Sequence, residues 1–197
     1  ASLNNLANGS FSSIATRYPD DSSWESLASY LTYKYKSSKD LIFHYGLRYS
    51  HIIINADLSP NNSYYNFPFS NADLNTGALT GALGLSWIQN DSFQWKFNVT
   101  TAFRAPNIDD IGKIFDSAPG VVVVPNPDLK PEKSFGLELG SFISVNSKIN
   151  FDFAVYYTHL YNSMIRSPFS MTVDSDDPNG SSIINQIIYH GELSDIY

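Results

Sequence analysis

The sequence predicts an all-β chain, an antiparallel meander of long hairpins forming part of a transmembrane β-barrel. Three observations carry that expectation. Apolar and polar residues alternate with period two over segments longer than soluble strands. Connections between those segments switch between short polar clusters and long stretches. The composition also trades charge for aromatic surface, with 16% charged and 15% aromatic residues, where soluble domains average about 25% charged.

Residues 1–24 show no sustained alternation and read as a loop or disordered lead-in. The first strand, about 25–36, is built on Leu31, Tyr33 and Tyr35. The second, about 41–54, sets Phe43, Tyr45, Leu47 and Tyr49 on one face and His44, Gly46 and Arg48 on the other. In the third, about 78–89, Leu79, Leu83, Leu85 and Trp87 oppose Thr80, Ala82, Gly84 and Ser86. The fourth, about 93–105, alternates most cleanly: Phe93, Trp95, Phe97 and Val99 against Gln94, Lys96, Asn98 and Thr100. The fifth and sixth, about 133–145 and 149–162, pair Phe135, Leu137, Leu139, Phe151, Phe153 and Val155 with a second face rich in Gly, Ala, Glu138 and Asp152. Such spans exceed the usual ~5–6 residues of soluble strands and meet the ~9–11 that a tilted membrane strand needs.

The short connections are polar clusters suited to tight antiparallel turns: Ser37 to Asp40, Asn90 to Ser92 and Asn146 to Lys148. The long ones cover about 55–77, 106–132 and 163–182. Outer-membrane barrels have this asymmetry, with short periplasmic turns and long extracellular loops. A soluble sandwich would bury the aromatic face as its core. The other face weighs toward a hydrated lumen, since it mixes Lys34, His44, Arg48, Lys96, Glu138 and Asp152 with small residues, although the solvated outer face of a sandwich has a similar make-up. The aromatic face then meets outer-membrane lipid, with Phe43, Tyr45, Leu47, Phe93, Trp95, Phe97, Phe151 and Phe153 pointing outward and Tyr33 and Trp95 in an interfacial girdle. Unpaired backbone in hydrocarbon costs several kcal/mol per group, so six strands require the remainder of a closed barrel.

Composition excludes other classes. A net charge of -7 and no basic stripe leave nothing to neutralise nucleic-acid phosphates. Without cysteine there is neither a disulfide framework nor a thiolate metal site. No nucleophile elbow, zinc-protease helix or phosphate loop is present, and the reading is that the chain is not an enzyme and carries no cofactor.

Two segments bracket the second long loop. Phe103-Arg104-Ala105-Pro106-Asn107 closes an upward strand, and Pro125-Asn126-Pro127-Asp128-Leu129-Lys130-Pro131-Glu132 opens the next downward one. The ordered pair resembles TonB-dependent receptors, in which a Phe-Arg-Ala-Pro box and an Asn-Pro-Asp/Asn-Leu-x-Pro-Glu box flank an extracellular loop. The resemblance covers roughly 25–197, with its specific part at 103–132. It implies a 22-stranded outer-membrane barrel of a Gram-negative bacterium, occluded by an N-terminal plug and energised by the TonB–ExbB–ExbD system through that plug. The sequence itself shows neither plug nor TonB box, so it matches an interior or late stretch of the barrel.

Phe103, Arg104, Ala105, Pro106, Asn126, Pro127, Asp128, Leu129, Pro131 and Glu132 read as structural residues that shape the loop, because proline ends ladder pairing and stiffens the return path. For ligand contact, the aromatic cluster Tyr64, Tyr65, Phe67 and Phe69 in loop 55–77 offers rings to stack on a siderophore, a corrin or a sugar. Haem receptors of this family carry a histidine between the two boxes, and 107–124 contains none. Asp109, Asp110 and Asp116, and Asp174, Asp176 and Asp177, lack calcium-loop spacing and read as solvated loop carboxylates. The expected function is active uptake of a scarce nutrient, a siderophore, cobalamin, haem or a glycan, as a small-molecule or metal-chelate cargo. A passive channel and a surface adhesin or carbohydrate-binding module are the competing classes.

Overall fold

The structure is a computed structural model that describes residues 2–5, 9–13, 17–60, 67–118, 121–146, 148–172 and 183–196. Strands β1 (Ser2–Asn5) and β2 (Ser10–Ser13) form a small hairpin of their own, where a loop or disordered lead-in was expected. The main sheet is built from β3 (Ser23–Lys36), β4 (Leu41–Asn55), β5 (Leu74–Asn90), β6 (Phe93–Arg104), β9 (Glu132–Asn146), β10 (Ile149–Thr172) and β11 (Ile183–Ile196). Short β7 (Phe115–Ala118) and β8 (Val121–Val123) and helix α1 (Ile108–Ile111) lie within the expected loop 106–132. Among the described residues nine strands follow the order β3-β4-β5-β6-β9-β10-β11-β8-β7, antiparallel except where β11 meets β8.

Register fixes the two faces. One row of partners crosses six strands as Tyr33, Tyr45, Leu83, Val99, Leu137 and Tyr157. The adjacent row on the opposite face runs Lys34, His44, Gly84, Asn98, Glu138 and Tyr156. The first face is an apolar belt, with Leu47 50%, Phe97 42% and Phe153 56% exposed. The aromatics expected to point outward therefore do so and are not sealed in a core. Neighbouring rings stack along the belt, Tyr33 on Tyr45 at 6.3 Å and Phe151 on Phe153 at 6.0 Å.

Two upward strands repeat the same outward sequence from their short turns. β4 presents Phe43, Tyr45, Leu47, Tyr49 and His51, and β10 presents Phe151, Phe153, Val155, Tyr157 and His159. At ~3.3 Å per residue and a tilt near ~40°, the climb from Leu41 to His51 is about 25 Å, the height of a barrel's apolar band. Rings at the bottom, aliphatics in the middle and Tyr-x-His at the top reproduce the girdles of a membrane wall. The turns are closed locally: Ser38 Oγ accepts from the Asp40 and Leu41 amides at 3.2 and 3.1 Å, and Asn90 Oδ1 from the Ser92 amide at 2.9 Å.

The outer ends depart from the sequence reading. β10 runs to Thr172, so the stretch 163–172 expected in the third loop is strand, paired with β11. An extra residue enters between Leu160 and Ser163, where Asn162 adopts φ 54. Such a bulge shifts the alternation and hides the continuing strand from a period-two reading. β5 begins at Leu74 instead of 78, which shortens the first long loop. Beyond Thr100, β6 leaves β5 and stays paired only with β9 as far as Arg104 opposite Glu132. Thr101 Oγ1 takes over there, accepting from the Gly81 amide at 2.8 Å.

The densest core lies at this outer rim. Ile52, Ile54, Ala56, Leu58, Ala72, Ile111 and Leu129 are buried together, with Phe69, Leu74, Phe103, Ala105, Ile108 and Met164 packed around them. Ile52 and Ile54 occupy the polar face by alternation, so the loops fold over the lumen side of the wall.

Candidate functional site

The two proline-containing boxes meet in space. Arg104 Nη1 donates to Glu132 Oε2 at 2.8 Å, and Nη2 donates to Asp110 Oδ2 at 2.9 Å. Asp110 also completes the cap of α1: its Oδ2 accepts from the Asn107 amide at 3.1 Å while Asn107 Oδ1 accepts from the Asp110 amide at 2.9 Å. Glu132 Oε1 receives the Met164 amide at 2.7 Å, and the Pro131 carbonyl receives Asn162 Nδ2 at 3.4 Å. One guanidinium thus joins the end of β6, the loop helix and the start of β9. A planar fork suits two carboxylates where an ammonium would not.

The other box residues serve the same packing. Pro106, Pro125 and Leu129 are buried, and Phe103 and Ala105 pack against the rim core. Asn126 donates its amide to the Ile111 carbonyl at 3.1 Å, and its Oδ1 accepts from the Asp128 amide at 3.0 Å, turning the chain at Pro127. On the far side of α1, Tyr18 hydroxyl donates to Asp109 Oδ1 at 2.6 Å and Lys113 Nζ bridges Asp109 Oδ2 at 2.9 Å. The phenol hydrogen bond, then the ammonium, hold the Asp109 carboxyl below its usual range, and the same bond raises the Tyr18 phenol.

The aromatic cluster singled out in the first long loop divides. Phe67 and Phe69 stack at 5.4 Å with planes 6° apart, Phe67 is 5% exposed and Phe69 lies on the rim core. In this arrangement Phe67 is packed inside the loop, while Phe69 stays partly exposed where it lies on the rim core. Tyr64 and Tyr65 lie outside the described residues, as do Asp174, Asp176 and Asp177.

The polar face holds a second group of residues. Three concavities join along its β3–β5 side. The outermost, about 290 Å³, lies between Trp24, Arg48, Ser50 and Ile52 of the wall and Phe103 of the departing β6 with Ala105 just beyond its end. It continues through Arg48 into a depression of about 340 Å³ floored by Gly46, Gly81 and Ala82, and through Thr32 and Gly46 into one of about 450 Å³ beside Lys34, His44 and Asn98. Sequence reasoning placed Lys34, His44 and Arg48 on this face but gave no reason to group them. Trp24 was assigned to the lead-in.

A sequence model of the family described as "TonB dependent receptor-like, beta-barrel" matches residues 2–192. The chain belongs to that family. As a TonB-dependent receptor barrel it is a protein of the Gram-negative outer membrane, and the family is one of receptors rather than enzymes. Solved receptors share its fold. The hemophore receptor HasR of Serratia marcescens, a double mutant in complex with its hemophore HasA and heme, superposes with a TM-score of 0.64 at 19% identity, over 88% of this chain and 30% of that one. The copper transporter OprC gives 0.65 at 15% identity over 95% and 27%. The ferric enterobactin receptor PfeA of Pseudomonas aeruginosa, with enterobactin bound, gives 0.55 at 13% over 95% and 33%. The chain spans about a third or less of the length of these receptors. No protein of curated function matches the sequence.

Proposed function

We propose that this chain is wall and outer loop of a receptor that captures a scarce metal chelate at the cell surface and takes it up with energy delivered through a plug and the TonB–ExbB–ExbD system. The observation that carries the reading is the roofed outer end of the wall. Arg104, Glu132 and Asp110 pin α1 to the outer ends of β6 and β9, and a cavity lined by Trp24, Arg48, Ile52 and Phe103 opens beside this latch. A passive channel has use for a wide mouth, whereas a fixed vestibule suits a receptor that first binds its cargo. Family membership supports the coupling to TonB, and solved relatives that handle heme, copper or ferric enterobactin support a metal-bearing cargo. Within the first loop, Tyr64 and Tyr65 are the aromatics proposed to touch cargo, with Phe67 and Phe69 as the anchor.

The test is uptake of radiolabelled iron chelates by cells carrying the full-length receptor, with and without a protonophore. Uptake that stops when the proton gradient is dissipated is the expected result. Entry that persists under protonophore would make the protein a passive channel.

A further inference from the structure

The wall carries an unzipped seam. The β5–β6 ladder stops above Ala82 opposite Thr100, although β5 reaches out to Leu74 and β6 to Arg104. At the parting point one side chain stands in for a ladder rung: Thr101 Oγ1 accepts from the Gly81 amide at 2.8 Å and donates to the Gly81 carbonyl at 3.4 Å. Gly81 therefore turns its backbone groups toward β6, and alternation turns those of Leu79 and Gly77 the same way. On β6 the backbone groups of Thr101 and Phe103 face back toward β5. Among the described residues Gly77, Leu79, Thr101 and Phe103 have no ladder partner or backbone hydrogen bond across this seam.

Phe103 shows where the freed end of β6 has gone. It stands opposite Lys133 in the β6–β9 ladder, on the same lipid-facing side of β6 as Val99 and Thr101. Its ring nevertheless packs on the rim core and lines the outer cavity with Arg48, Ser50 and Ile52, which are lumen-facing positions of β4. An outward-facing side chain meets inward-facing ones only where its strand lies inside the neighbouring wall. The outer end of β6 is thus folded in behind β4, and the Arg104 latch and α1 go with it.

The sequence on both edges also fits a closed seam. Carrying the register forward from Leu83 opposite Val99 places Phe103 opposite Leu79 and Ala105 opposite Gly77. A ring then meets a leucine, and a methyl meets a glycine whose own Cβ would lie 2.7 Å from the Tyr49 hydroxyl. Pro106 ends the strand at the next residue. Arg104 falls opposite Ala78, and its pairing with Glu132 survives because those two are partners in the β6–β9 register. Thr101 stands about 20 Å above the short turn, at ~3.3 Å per residue and a tilt near ~40°, close to the top of the apolar band. Water reaches the parted edges there, so their backbone groups are hydrated with the seam open and paired with each other when it is shut, a small net difference for each bond. Burial of Phe103 in the rim core is what favours the open seam.

We propose that the outer end of β6, from Thr101 to Ala105, is a two-position flap hinged at the contact between Gly81 and Thr101. In the position seen, Phe103 closes one side of the cavity beside Trp24 and Arg48. In the other, the seam zips as far as Gly77, Phe103 joins the lipid-facing row beside Leu79, and that side of the cavity is open. The moving part is a strand of the wall itself, and the claim is independent of how uptake is energised.

Hydrogen exchange on the full-length receptor in vesicles tests this. Phe103→Ser weakens the folded-in position, so the amides of Leu79 and Gly77 should gain protection and exchange tenfold or more slowly than in the parent. A ring that merely filled the core would give the opposite sign, with faster exchange around the emptied site. A second route leaves Phe103 in place. Thr80 and Ala102 face each other as a non-hydrogen-bonded pair in the zipped register, where Cβ atoms come close enough for a disulfide. Mild oxidation of the double variant Thr80→Cys with Ala102→Cys should join the two and slow the same two amides by a similar factor. Failure of the disulfide to form in the folded receptor, or a disulfide that leaves Leu79 and Gly77 unprotected, overturns the flap. So does a folded Phe103→Ser receptor in which those amides exchange as fast as in the parent or faster. If that variant does not fold, the disulfide result decides.

Discussion

Arg104 and Glu132 stand 28 residues apart in sequence and 2.8 Å apart in space, so the two boxes that flank the second long loop are halves of one ion-paired latch. The Arg104 side chain is 52% exposed, while Glu132 and Asp110 are 15% and 17% exposed. Removing the guanidinium leaves two mostly buried carboxylates facing each other. Arg104→Ala should therefore destabilise the loop by about 1–3 kcal/mol, the range for a buried charged group losing its hydrogen-bond partner. Hydrogen exchange at the α1 amides measures it. Arg104→Lys should recover only part, because an ammonium cannot fork to both acids. Adding Glu132→Gln to Arg104→Ala should cost less than the sum of the two single changes; strict additivity would show that the latch carries no coupling.

The two faces of the sheet should tolerate charge unequally. Leu47 and Val99 lie on the apolar face, and an arginine at either should cost roughly 2–4 kcal/mol near the bilayer midplane. Asn98→Lys faces the lumen beside Glu138 and should be accepted, replacing an amide hydrogen bond with an ion pair. Refolding into vesicles, followed by denaturant titration, reads the difference. Equal costs on the two faces would contradict a lipid-facing belt.

Much of this wall was legible because the membrane imposes period two on every strand, and the short turns carry their own hydrogen-bonding side chains. Phe93, Trp95 and Phe97 declare their face without any tertiary information. What escaped the sequence lies beyond the apolar band, where that constraint lapses. Ile52 and Ile54 sit on a face that should be wet, and only the folded loop makes them core. Asn162 shifts the pattern by one residue, which disguised the last ten residues of β10 as loop. The partnership of Arg104 with Glu132 is long-range, and local pattern offers no way to pair them. Trp24 and Arg48 likewise come to line one cavity only because the β3–β4 pairing sets Trp24 opposite Ile54 and Ala28 opposite Ser50.

The contact between Tyr18 and Asp109 should hold at neutral pH and fail at both extremes. The Asp109 carboxyl is lowered from 3.8, so its contribution is present above that value and lost as pH falls through its folded pKa. The Tyr18 phenol is raised from 10.0, so its contribution is present below that value and lost as pH rises through its own folded pKa. A variant keeping Trp24 as the sole tryptophan should report both transitions in its emission, since the Tyr18 segment leads directly into β3. In Tyr18→Phe the alkaline transition should vanish. The acid one should move toward the ordinary carboxylate value.

Gly84 tests the small-residue floor. A Cβ there would lie 2.9 Å from Asn98 Oδ1, so Gly84→Val should push Asn98 off Glu138 and cost about 1–2 kcal/mol for the hydrogen bond and the crowding. The added bulk also narrows the depression beside Lys34 and His44. An undisturbed Asn98 side-chain amide signal by NMR in the valine variant would count against that packing.

The rim core decides whether the outer loops fold with the wall or as a separable cap. Leu129 is 4% exposed and packs with Ile54, itself fully buried, yet both stand beyond the aromatic girdle. Below them the wall is held by the β5–β6 ladder, which runs unbroken from Ala82 opposite Thr100 to Ile88 opposite Gln94 and shifts register only next to the turn. Leu129→Ala should leave a cavity worth about 2–5 kcal/mol, charged almost wholly to the cap. Amides of α1 and the outer end of β4 should then exchange faster while those of Phe93 to Val99 keep their protection, and the barrel should still migrate as a folded species before heating in detergent electrophoresis. Loss of protection along the whole of β6 would instead make cap and wall one cooperative unit, since a strand that parts from β5 after Thr100 cannot transmit rim strain downward unless the two ends melt together.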